Sequence, residues 1–188
     1  RVLGGGLVPA SLVLVGGGLD LSIGSLFAVG GVTVGISMNA GVPWPLAIVV
    51  ALAVCAALGL VNASLITWVV VPPFIATLGM LFAASGVVVV ATGGIPRFGF
   101  PSGFTDLAQL NLFGIPLLVF YAIAVGIAAP VVLQHTVFGY NIRAFGGNAT
   151  AARANGIRAS RMNISLYVIS AVVAGLCGVL LASRVATA

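Results

Sequence analysis

The sequence predicts an all-α fold, a polytopic bundle of transmembrane helices forming one domain over residues 1–188. Three observations predict it. Hydrophobic residues make up 61% of the 188 residues and charged residues only 5%, too few to coat a water-soluble globule. Mean hydropathy is +1.30. Uncharged runs close to the roughly 20 residues that cross a hydrocarbon core recur along the chain.

Taken in order, residues 2–15 are apolar but too short to cross alone, and they end in Gly16-Gly17-Gly18. They are expected to be a half-helix or a partial span followed by a break. Full spans are expected at residues 23–38, 44–71, 74–92, 113–133 and 164–182, five in all. Trp44 and Trp68 stand where amphipathic aromatics mark the two interfaces of one helix. Glycines inside the spans, at Gly30, Gly31, Gly35, Gly59, Gly79, Gly86, Gly175 and Gly178, are expected to let helices approach closely in lipid.

Charge sets orientation and removes mechanisms. The ionisable side chains comprise seven arginines, two aspartates and one histidine, with neither lysine nor glutamate. Without lysine the chain has no phosphate-cradling Walker loop and no Schiff-base chemistry, so any ATP energy must come from a partner. The net charge of +5 comes from separated arginines rather than a basic, aromatic-laced patch, which points away from nucleic acid. Arg143, Arg153, Arg158 and Arg161 share the loop over residues 135–163, whereas Arg97 is the one arginine of the loop over 93–112. By the positive-inside bias the first loop is cytoplasmic and the second external. Cys55 and Cys177 sit in apolar runs without metal-ligand spacing, so neither a metal nor a cofactor is expected.

Within the cytoplasmic loop, Gly146-Gly147-Asn148-Ala149-Thr150-Ala151-Ala152-Arg153-Ala154-Asn155-Gly156-Ile157 carries the signals of a short capped helix. Asn148 suits the N-cap, the alanines favour helix, Arg153 suits the negative end of the dipole, and Gly156 suits a left-handed stop. Such a helix on the cytoplasmic side is where a partner would be met. Its small alanine face, Ala152 included, is expected to enter a partner's groove.

Asp20 is the carboxylate nearest a span, and ionisable groups at such depth are costly unless paired or functional. Two readings stay open: Asp20 or Ser22 caps the helix beginning at Ile23, or Asp20 contacts a passing solute. Asn62, Ser64 and Thr67 on the second full span either line a hydrophilic path or bond between helices. His135 is read as interfacial. The outer loop mixes turn formers with phenylalanines, so it either receives an external partner, with Arg97 or Asp106 as rim contacts, or lies on the lipid interface through its aromatic rings.

These segments in this order resemble the permease subunits of bacterial ABC importers for ribose, xylose, arabinose and related sugars. The likeness is carried by Gly18-Leu19-Asp20-Leu21-Ser22-Ile23-Gly24-Ser25, Gly59-Leu60-Val61-Asn62, Pro73-Phe74-Ile75-Ala76-Thr77-Leu78-Gly79-Met80, Thr92-Gly93-Gly94 and Thr136-Val137-Phe138-Gly139. The resemblance implies a type II-like permease in the cell inner membrane, paired with a second permease copy as a homodimer. It also implies two cytoplasmic ATPase subunits, an extracytoplasmic sugar-binding protein and no ATP hydrolysis by the chain itself. Gly146, Gly147, Asn148, Ala151, Ala152, Arg153, Gly156 and Ile157 would form the element coupling it to the ATPase, with Asp20, Ser22 and Asn62 on the translocation path or at the helix break. The chain departs from the family in having Ala149 where an acidic residue is frequent and Tyr140 where a basic one is. Family chains continue past the segment like Ser183-Arg184-Val185, so this chain is expected to be incomplete.

Two competing functions have weaker footing. A membrane hydrolase needs a nucleophile and base within the spans, but the one histidine is at a membrane edge and no Gly-x-Ser-x-Gly elbow occurs. An ion-coupled secondary transporter needs carboxylates or unwound carbonyls near the midplane. Asp20 alone offers that, and such a transporter leaves the capped basic helix without a role.

Overall fold

The computed structural model describes residues 13–95, 99–112 and 114–186. Among them the helices are α1 (Ile23–Asn39), α2 (Trp44–Thr67), α3 (Pro73–Thr92), α4 (Ser102–Gln109), α5 (Leu117–His135), α6 (Val137–Gly147), α7 (Ala149–Ala154) and α8 (Ala159–Val185). A minimal antiparallel pair, β1 (Asn111–Leu112) and β2 (Ile115–Pro116), turns the chain before α5.

Prolines open the membrane helices where a missing amide costs nothing. Pro45 lies in the first turn of α2, and Pro73 begins α3. α2 stops at Thr67, before the expected residue 71, because Pro72-Pro73 cannot continue a helix and the residue before a proline is pushed to extended backbone. Gly93 closes α3 with a left-handed φ of 63°.

Among the described residues four helices, α2, α3, α5 and α8, are long and apolar enough to cross a membrane. The fifth expected span is the shorter α1, whose 17 residues reach about 26 Å at 1.5 Å per residue. It is preceded by the Gly16–Gly18 break, and of the partial span expected over residues 2–15 only the helical end at 13–15 is described.

The core is a three-helix unit. α1 and α8 run parallel, with Gly30 against Gly175 and Gly31 against Gly178. α2 runs antiparallel to both, so that Cys55 meets Leu26 and Gly175 while Gly59 meets Ala171. The contacts are backbone-close: a Cβ on Gly178 would collide with the carbonyl oxygen of Phe27, and one on Gly30 with that of Gly175. In lipid such packing replaces the hydrophobic effect as the reason helices associate. Gly79 and Gly86 on α3 differ from the expectation of close packing, since an added Cβ at either meets open space.

The end of the core where α8 finishes is plugged by α4. Phe104 and Ala108 are fully buried, Phe104 beside Val34, Ala51 and Val179, and Phe100 packs edge-on against Phe104 at 5.5 Å. Ser183 Oγ donates to Phe104 O at 2.7 Å, and Gln109 Nε2 donates to Arg184 O at 3.2 Å. Within the loop over residues 93–112 Phe104 therefore turns into the core and not onto lipid. Asp106 is exposed on this cap. Arg97 lies outside the described residues.

Candidate functional site

Two features meet at the end of the bundle carrying Arg143 to Arg161. The first is a polar hub where α1 begins. Ser22 stands at the N-cap position with φ −77° and ψ −7° and makes no side-chain cap bond, so the expected cap is modified. Asp20 Oδ1 accepts from the Ser22 amide at 3.0 Å and from its hydroxyl at 2.6 Å, closing a local turn ahead of the helix. Asp20 Oδ2 accepts from Ser170 Oγ on α8 at 2.8 Å. Asn62 Nδ2 on α2 donates to Ser22 Oγ at 3.0 Å, and Tyr167 OH donates to Leu19 O at 3.4 Å. Asp20 thus joins the start of α1 to α8 directly and α2 joins through Ser22, and the carboxylate lies at the positive end of the α1 dipole.

Asp20, Ser22 and Asn62, singled out from sequence, do come together, with Ser170 and Tyr167 completing the cluster. Asn62 is almost fully buried and its Oδ1 has no partner among the described residues. Ser64 does not share the site: its hydroxyl bonds back to Leu60 O at 2.6 Å within the same helix. Thr67 Oγ1 is buried without a hydrogen-bond partner among the described residues. The three polar side chains of α2 therefore do not form a continuous hydroxyl-lined path.

The second feature is the α6–α7 segment. α5 ends at the exposed His135, and Thr136 joins it to α6 by donating to Val132 O at 2.5 Å while accepting from Gly139 N at 3.0 Å. Gly139 is required by this tight corner, because a Cβ there would collide with the carbonyls of Val132 and Leu133. Asn148 caps α7 by accepting from Ala151 N at 3.0 Å. At the other end Ile157 N bonds Ala152 O and Gly156 N bonds Arg153 O, both at 3.0 Å, with Gly156 at φ 82°. This is a Schellman stop, and Arg153 sits in the last turn. The helix expected from sequence is present with its cap and stop.

Two details differ. Gly146 and Gly147 close α6 rather than opening the capped helix, because Asn148 takes an extended conformation between the two. Ala152 is buried within the chain, so it belongs to the inner side of α7 and is not part of an outward alanine face. Thr150, Ala151, Arg153, Ala154 and Asn155 are exposed, as are Arg143, Arg158 and Arg161, and Ile157 is half-buried.

Between hub and segment lies a cavity of about 250 Å³, lined among others by Gly16, Gly17, Gly146, Ala149, Asn163 and Tyr167. A larger groove of about 320 Å³ between α1, α2 and α3, lined by Val29, Leu58, Met80 and Val88, is apolar. It has little to offer a polyhydroxylated solute.

A multi-helix membrane chain with a close-packed core and a capped helix held at its basic end has the architecture of a transporter permease. Residues 8–188 match the family described as the branched-chain amino acid transport system / permease component, and the chain belongs to that family. It is similar to the autoinducer 2 import system permease protein LsrD of Salmonella paratyphi B, with 31% identity over 182 residues, covering 94% of this chain and 55% of the relative. The permease protein LsrC of Yersinia enterocolitica is 33% identical over 178 residues, covering 95% and 49%. LsrD of Escherichia coli O9:H4 is 32% identical over 182 residues. The chain spans about half the length of these curated relatives. No solved structure matches it.

Proposed function

We propose that this chain is the membrane-spanning part of a permease subunit in an ATP-driven importer of the inner membrane, moving a sugar or a sugar-like molecule of the autoinducer 2 kind. ATP hydrolysis belongs to separate cytoplasmic subunits. An extracytoplasmic binding protein delivers the solute to the α4 end, and a second permease copy completes the passage. Family membership and the relatives' import role support this reading over a membrane hydrolase or an ion-coupled carrier.

The observation that carries it is the exposed, doubly capped α7 at the arginine-rich end. A six-residue helix has too few internal bonds to persist on its own. Its cap, stop and buried Ala152 fix it in place, so that Thr150, Ala151, Arg153 and Ala154 face outward as a preorganised surface. Preorganisation lowers the ordering cost of binding. The hub is assigned a structural role, because its hydrogen bonds tie the start of α1 to α2 and α8.

The test is Ala151→Trp in the complete permease. Ala151 is exposed, so the ring leaves the fold intact but blocks a groove fitted to a methyl group. ATPase recovery on co-purification should fall by about tenfold or more, the change that 1.4 kcal/mol produces, with permease abundance in the membrane unchanged. Normal recovery would remove α7 as the ATPase contact.

A further inference from the structure

Gly146 touches its own chain rather than the outside. We propose that Gly146 is the point through which α6 and α7 bear on the Gly16–Gly18 turn, and through that turn on the Asp20 hub, making it a positioning residue rather than an ATPase contact. The proposal rests on the coupling role assigned to α7 above.

The junction is backbone against backbone. A Cβ on Gly146 would collide with Val15 O and come within 3.0 Å of the Gly16 carbonyl carbon, while a Cβ on Gly17 would stand 3.4 Å from Gly146 Cα. The turn is itself fixed: Gly17 N bonds Leu14 O and Gly18 N bonds Val13 O, both at 3.0 Å, and Gly17 holds φ 78°. On its far side a Cβ at Gly18 would lie 2.8 Å from Tyr167 OH, the hydroxyl that donates to Leu19 O. Asp20 is the next residue.

Side-chain contacts absorb small displacements by changing rotamer. Glycine backbones in contact have no rotamer to change, so a displacement of α6 passes directly to the turn. α7 follows α6 after the single residue Asn148, so a pull on α7 reaches Gly146 with little slack. The cavity of about 250 Å³ alongside leaves space into which the joined elements can swing.

The experiment uses the full-length permease reconstituted with its ATPase and binding protein, comparing Gly146→Ala with Gly126→Ala on α5, where an added Cβ meets open space. Gly146→Ala should keep normal ATPase recovery, yet lose about tenfold or more of the binding-protein-stimulated hydrolysis and uptake, as a collision at a close-packed contact does. Gly126→Ala should match the unmodified protein. Equal stimulation in the two variants overturns the proposal. Loss of ATPase recovery by Gly146→Ala also overturns it, in favour of direct contact. Should Gly146→Ala fail to assemble, cysteines at the exposed Val15 and Gly147, on either side of the junction, test it instead. Joining them with a short bifunctional thiol reagent should leave uptake equal to that of the same protein unjoined, because the two elements move together. Arrest of uptake on joining means that they slide, which overturns the proposal. Failure of the α7 reading is distinct: it appears as normal ATPase recovery with Ala151→Trp, whatever Gly146 does.

Discussion

The helices α1, α2 and α8 differ from α3 and α5 in what their faces carry, although all five are apolar. α8 buries ten residues, seven of them Gly, Ala or Ser, the other three being Leu166, Tyr167 and Val179. α5 buries none, and α3 buries four. Large apolar side chains on α3 and α5, such as Phe82, Val90, Ile127 and Val131, point outward. In lipid, hydrophobicity does not decide which helices associate, because the tails are as apolar as leucine. Small residues and paired polar groups decide it, and these are concentrated in the three-helix unit and its Asp20 hub. α3 and α5 are left with faces suited to lipid or further protein.

The sharpest way to break this contrast is to add the same side chain to both regions. Gly178→Val drives a branched side chain into Phe27 O, where no side chain can yield; the permease should all but vanish from the membrane fraction, since overpacking of 1–3 kcal/mol or more falls on the contact that holds α1 to α8. Gly86→Val on α3 meets open space and should leave abundance within error. Equal abundance of the two variants would mean that the glycine contacts do not define a core.

A smaller effect is expected at the hub. Asp20→Leu strands the Ser22 amide, the Ser22 hydroxyl and the Ser170 hydroxyl, each at about 1–3 kcal/mol if left without a partner, so assembled protein should fall severalfold. Asp20→Asn retains an oxygen for Ser22, and its amide can donate to Ser170 Oγ, which accepts as readily as it donates. Assembly and uptake should stay near normal, measured by detergent-resistant purification and vesicle uptake. Normal assembly with abolished uptake in Asp20→Asn would assign the charge a transport role.

Local signals were legible in the chain and distant ones were not. The α7 cap and stop followed from Asn148 and Gly156, whose chemistry acts within four residues. The pairing of Asp20 with Ser22 was also local. Ser170, 150 residues from Asp20, had one trace, a hydroxyl in an apolar run in helical register with Ala174 and Gly178; only packing tells which helix such a face meets. Ala152 and Ala151 are equivalent by propensity, and the way α7 lies against the chain separates them. Phe104 followed no rule of loop composition, because a phenylalanine in a turn-rich segment serves lipid, a partner or the chain's own core equally well until the space beneath it is known.

The most direct measurement is of energy coupling across the membrane. The complete permease, reconstituted with its ATPase on one face of a proteoliposome and the solute-loaded binding protein on the other, should hydrolyse ATP faster when the loaded protein is added, and uptake should require ATP on the α7 face. Uptake driven by a proton or sodium gradient, without ATP and indifferent to the binding protein, would contradict the account.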